Sequence, residues 1–187
     1  MRKNRLENIF RKLFLYTLSG TVILLQYGCP YNSSYKIGGD PAVPIDENLL
    51  GKWSTVISTS TDNQAVRMIV GKQSDFEYDL SFVGRINGLR NWSAFRNDTL
   101  KASAFFCDAA NRRFLNINIG GQYYIAEFIY RDDKITLLPL CEHFTSKIIK
   151  SDWELKVAIE SHYKTRLYPL YDDEFSLKEL TRVNQQE

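Results

Sequence analysis

The chain has only two histidines, His143 and His162, and three cysteines, Cys29, Cys107 and Cys141, in 187 residues. The sequence also holds no Cys-x-x-Cys, no His-Glu-x-x-His, no Gly-x-Ser-x-Gly elbow and no glycine loop of the phosphate-binding type, the short motifs that seat metals, nucleophiles and nucleotides. No catalytic residue, metal or cofactor is assigned on these grounds. Glu142, His143 and His162 would offer three N/O ligands only if the chain folded them together; no ligand spacing supports that, and surface or helix-packing histidines account for both. The acidic runs Asp132-Asp133 and Asp172-Asp173-Glu174 lie beside predicted turns, where Asp is favoured for its backbone hydrogen bonds, rather than facing each other across a glycoside.

An excess of positive charge is missing as well. The formal charge is +2, but the first 28 residues hold five bases (Arg2, Lys3, Arg5, Arg11, Lys12) and one acid (Glu7), leaving 19 bases against 21 acids in the remainder. Without a basic face to meet phosphates, a nucleic-acid partner is set aside.

The apolar run Leu13 to Gly28 is short for a membrane span, so an uncleaved spanning anchor is the weaker reading beside a cleaved signal. The run has 16 residues, interrupted by Ser19, Gly20 and Gln26, where a spanning helix needs about 20. Preceded by the basic stretch Arg2 to Lys12, it has the order of a secretory signal. Leu24-Leu25-Gln26-Tyr27-Gly28-Cys29 resembles the lipobox of bacterial lipoproteins, departing from it at Gln26, where Leu is usual, and at Tyr27, where a small residue is usual. The resemblance implies a signal peptide over 1–28, cleavage before Cys29, an acyl anchor on Cys29 and residence in the cell envelope, on a bacterial membrane. Residues 29–48 carry three of the five prolines and Gly38-Gly39, and read as a flexible tether.

From Leu49 to Glu187 the chain reads as one mainly β domain. Phe76, Tyr78, Leu80 and Phe82 alternate with Glu77, Asp79 and Ser81; Leu115-Asn116-Ile117-Asn118-Ile119 repeats the pattern. Leu100, Ala102, Ala104 and Phe106 form a third such face, and Tyr124, Ala126, Phe128 and Tyr130 a fourth, with Glu127 interrupting the opposite face. Turn signals at Asn87-Gly88, Arg96 to Asp98, Asp108 to Asn111, Gly120-Gly121 and Arg131 to Lys134 separate them, predicting about eight antiparallel strands between Lys52 and Leu140 in a small barrel or sandwich. Ser151-Asp152-Trp153-Glu154 matches a capping box, and Leu155, Ile159 and Tyr163 follow at helical spacing, predicting one helix over Asp152 to Lys164. A closing strand is expected from Glu174 to Val183.

This order, with Gly51-Lys52-Trp53 at the first strand, resembles lipocalin-like (calycin) barrels, although their Thr-Asp-Tyr loop is not evident. The resemblance implies that Trp53 closes one end of a barrel against a basic residue from a late strand, for which Arg182 is the candidate. It also implies that the mouth takes a small apolar or glycan ligand. A two-sheet sandwich and an open, helix-covered sheet are the competing architectures.

Candidate ligand-lining residues are Trp53, Tyr78, Phe82, Trp92, Tyr124 and Phe128; a small barrel can also fill its own interior with such rings. The other functional reading is a structural or assembly lipoprotein that meets an envelope protein through surface aromatics, Tyr168 and Tyr171 first. With Cys29 acylated in an oxidising compartment, Cys107 and Cys141 form an even pair that reads as a candidate disulfide or as two buried thiols.

Overall fold

The computed structural model describes residues 30–58, 63–84, 99–166, 170–173 and 175–183. Cys29, Trp92 and Tyr168, together with the expected signal segment, lie outside the described residues.

The strands are β1 (Asn32–Ser33), β2 (Gly51–Ser58), β3 (Asn63–Lys72), β4 (Tyr78–Val83), β5 (Thr99–Ala109), β6 (Arg112–Ile119), β7 (Gln122–Arg131), β8 (Lys134–Pro139) and β9 (Leu177–Arg182), with helix α1 (Asp152–Thr165) between β8 and β9. From β2 to β8 each strand pairs antiparallel with the next, and β9 pairs with both β8 and β2. The result is a closed ring of eight strands, not a sandwich or an open sheet. Among the described residues eight strands, β1 to β8, precede the helix; seven of them belong to the ring, and the ring's eighth is the closing strand β9, which begins at Leu177 rather than Glu174.

Three of the hairpins follow from their turn residues. Ala110-Asn111, Gly120-Gly121 and Asp132-Asp133 all stand at positive φ, which two-residue turns need to match the twist of the flanking strands. The acidic pair Asp132-Asp133 is thus a hairpin turn, with Asp133 accepting from the Tyr130 hydroxyl at 2.9 Å.

Alternation sorts the side chains. In β4, Tyr78, Leu80 and Phe82 are buried in the barrel while Asp79 is exposed. Outward positions such as Arg67, Asp79 and Lys101 are exposed, opposite to the apolar-out pattern of a membrane-spanning barrel. The outer faces of β5, β6 and β7 are covered instead: Cys107, Phe114 and Ile125 are buried beneath Leu155, Ile159, Ile37 and Phe144. Strands covered on both faces lose clean alternation, which is why Phe105-Phe106-Cys107 reads as a continuous apolar run.

The helix begins as its capping residues dictate. Ser151 Oγ accepts from the Glu154 N–H at 3.1 Å, and the Glu154 carboxylate reaches back to the Lys150 N–H at 2.7 Å. Arg166 ends it in the left-handed region.

The described part of the expected tether is laid against the barrel. Asn32 and Ser33 pair with Tyr124 and Tyr123 of β7, and Ile37 is fully buried. Its N–H donates to Asn116 Oδ1 at 2.8 Å while Asn116 Nδ2 donates to the Ile37 carbonyl at 3.1 Å. Val43 and Ile45 pack on the core, and the Asp46 N–H meets the Tyr78 hydroxyl at 2.6 Å. A composition too poor to build its own core still docks here, because its few apolar residues enter preformed grooves and Asn116 and Tyr78 satisfy its backbone. The packed unit therefore starts by Pro30 rather than at Leu49.

Candidate functional site: an apolar cavity at the open end

The two ends of the barrel differ. Where β2 begins, Trp53 is fully buried and its Nε1 donates to the Leu49 carbonyl at 2.9 Å. The Arg182 guanidinium lies 4.5 Å over the indole, Nη1 donates to the Leu50 carbonyl at 2.8 Å, and Nη2 donates to the Asn48 carbonyl. Tyr130 packs edge-on at 6.2 Å. Gly51, at φ +130°, leaves room for this: a Cβ there would sit 2.9 Å from Arg182 Nη1. Trp53 and Arg182 thus occupy the positions that the lipocalin-like resemblance implies, and this end is shut.

At the opposite end the described side chains of β4 to β9 leave a gap in the ring. An apolar cavity of about 70 Å³ is walled by Phe82, Leu100, Ile117, Ile119, Tyr124 and Leu137, with Pro30 and Phe175 also against it. Among the described residues of this wall, Tyr124 carries the one hydroxyl. A second void of about 20 Å³ lies deeper, beside Met68, Tyr78, Phe106 and Phe128. Edge-on rings close the interior around it, Phe106 to Tyr78 at 5.3 Å and Phe106 to Phe128 at 4.7 Å.

Of the expected lining residues, Phe82 and Tyr124 border the cavity; Tyr78 and Phe128 border only the smaller void; Trp53 closes the far end. Leu100, Ile117 and Leu137 were missed, although they lie on the same alternating faces, because large rings were favoured over aliphatic side chains. Small-molecule pockets usually measure about 300–1,000 Å³, and this cavity, at about 70 Å³ with an apolar wall, is well below that range.

A polar cluster sits on the outer face. Glu127, at 3 % exposure, is fully surrounded: Arg112 Nη1 lies 2.5 Å from Oε1, and the hydroxyls of Tyr163 and Tyr171 both donate to Oε2. Arg112 also lies 4.9 Å over the Tyr163 ring, and burial raises the Tyr163 pKa above its ordinary value. The cluster joins the β5–β6 hairpin, the barrel wall, α1 and the Leu170–Asp172 segment. Tyr171 is accordingly half-buried and engaged inward, not a surface aromatic offered to a partner. The sequence signal for this cluster is Glu127 itself, the carboxylate that breaks an apolar face.

No disulfide joins Cys107 to Cys141; both thiols are buried in the outer cluster. Asn116 Nδ2 donates to Cys107 Sγ at 3.3 Å, and burial pushes the Cys107 thiol up to about 12 and the Cys141 thiol up in the same direction. His162 is buried on α1 whereas Glu142 and His143 are exposed, and among the described residues no three His, Cys, Asp or Glu side chains gather as metal ligands.

No family model, no curated protein and no solved structure matches the chain. Its class rests on its own geometry, a closed eight-stranded antiparallel barrel with one covering helix, compatible with a lipocalin-like fold.

Proposed function

We propose that the protein is an envelope lipoprotein, anchored through Cys29 to a bacterial membrane, whose barrel is a binding module for a small apolar ligand. The observation that carries this reading is the apolar cavity at one end of a barrel whose other end is shut by Trp53 and Arg182. A glycan is the poorer ligand, because its hydroxyls would go without partners against such a wall. The alternative, assembly with another envelope protein, draws on the exposed Trp153 (70 %) and Ile148 (81 %) beside the helix start.

The chain from Pro30 to Glu187, titrated with decanoate as a slender apolar probe and followed by native mass spectrometry, tests the reading. A one-to-one complex is expected, and Ala126→Phe, which places a ring in the cavity wall, abolishes it. No complex with decanoate would leave assembly as the better account.

A further inference from the structure

The residue after the expected acylation site stands at the cavity. Pro30 is part of the wall beside Tyr124 and Pro139, and it is held there on both sides. It bridges to Cys141, and the N–H of the next residue, Tyr31, donates to the Leu140 carbonyl at 2.7 Å, with the Tyr31 ring edge-on to Phe144 at 5.2 Å. Consecutive Cα atoms are about 3.8 Å apart, so the chain leaves the described residues toward position 29 directly from the cavity wall. No flexible spacer intervenes, because the stretch expected to be one is docked from Pro30 onward.

The cavity suits such a guest. Its volume, about 70 Å³, is several times the roughly 10–15 Å³ that one water needs, yet a water there would lack the two to four polar partners it requires; cavities of this kind take apolar molecules. Several chains on one cysteine also allow a division of labour, since stable anchoring takes about two membrane signals.

We propose that the resting occupant of the cavity is the end of an acyl chain carried on Cys29 of the same molecule, so that the anchor doubles as an internal ligand. This rests on the binding-module reading and on acylation of Cys29. A tethered chain acts at an effective concentration in the millimolar range, and any external ligand must displace it.

Decanoate titration separates the possibilities when applied to the full acylated chain, extracted from membranes in mild detergent, and to the full-length Cys29→Ser protein. The acylated chain is expected to bind decanoate at least about tenfold more weakly. Equal binding by both overturns the inference while leaving the binding module intact; no binding by either overturns the binding module itself. A denatured mass without acyl groups overturns the anchor.

A photocrosslinker replacing Ile119, at the cavity, provides a second measurement, with Ile45 at the closed end as its control. Adducts to the Cys29 lipopeptide, formed within one molecule when isotopically light and heavy protein are mixed, are the expected result. Adducts to free phospholipid alone overturn the inference.

Discussion

Trp53 and Arg182, 129 positions apart in sequence, are in direct contact, with the guanidinium 4.5 Å over the indole and its two Nη groups donating to the carbonyls of Leu50 and Asn48. One side chain thereby ties the last strand, the first barrel strand and the short helical turn before it. Trp53→Ala is expected to cost about 3–5 kcal/mol, the range for emptying a buried aromatic site. Arg182→Ala is expected to cost about 1–3 kcal/mol through the lost ring contact and hydrogen bonds. Arg182→Lys should recover only part of that, because an ammonium lacks the planar fork. Urea midpoints of the three variants check the ordering.

Glu127 is held by three donors on three separate elements. Removing the carboxylate leaves half-exposed Arg112 without its ion-pair partner and the two half-buried hydroxyls with only each other, so Glu127→Ala is expected to destabilise by about 1–3 kcal/mol. Tyr171→Phe should cost less, about 0.5–1.5 kcal/mol. The double variant should show a coupling of about 0.5–3 kcal/mol; strict additivity in chemical denaturation would mean that the hydroxyl and the carboxylate act independently.

The buried thiols set an alkaline limit. Cys107 is raised by burial from 9.0 to about 12, so between those values the unfolded chain releases its proton while the folded chain keeps it. Stability is therefore fully present below about pH 9 and falls as pH rises toward 12. Tyr163, also raised by burial, adds a loss of the same sign from about pH 10 upward. Cys107→Ala should flatten the first part of this decline in thermal melts. At neutral pH a thiol reagent should modify Cys107 only as the fold opens, since the thiolate is the reactive form.

The docked leader is open to proteolysis experiments. A composition with three prolines between Pro30 and Asn48 would ordinarily mark a cleavable linker, yet its backbone is paired with β7 and Asn116. Residues 32–46 are expected to resist limited proteolysis in the native protein. Ile37→Ala should expose them and cost about 2–5 kcal/mol as a buried aliphatic truncation.

These contrasts show where the sequence was legible. Strands with one wet face, such as Tyr78 to Val83, declare themselves by alternation, and Ser151 with Glu154 announces the helix start. The Gly51 to Trp53 triplet and Arg182 point to the closed end because that end depends on particular side chains. The docking of residues 30–48 stayed hidden, since its stability comes from grooves built by residues some 80 positions away, Asn116 with Ile37 above all. The cavity was half visible: period two identifies inward faces, but whether rings such as Phe106 fill the space or Phe82 borders a gap depends on packing along the barrel axis, which no local pattern records. The role of Tyr171 was unreadable for the same reason, because its partner Glu127 lies 44 positions earlier.

The ring is sealed by β9, which meets β2 at Trp53↔Arg182 and Ser54↔Thr181. Until those residues are in place, the β2 and β8 borders both lack their shared neighbour, and the sheet is an open ribbon with two unsatisfied edges. Such a ribbon is open to pairing with a chaperone or another copy of the chain. A chain ending before Leu177 would stay in that condition permanently and is a candidate for aggregation, even though it would keep most of its apolar core.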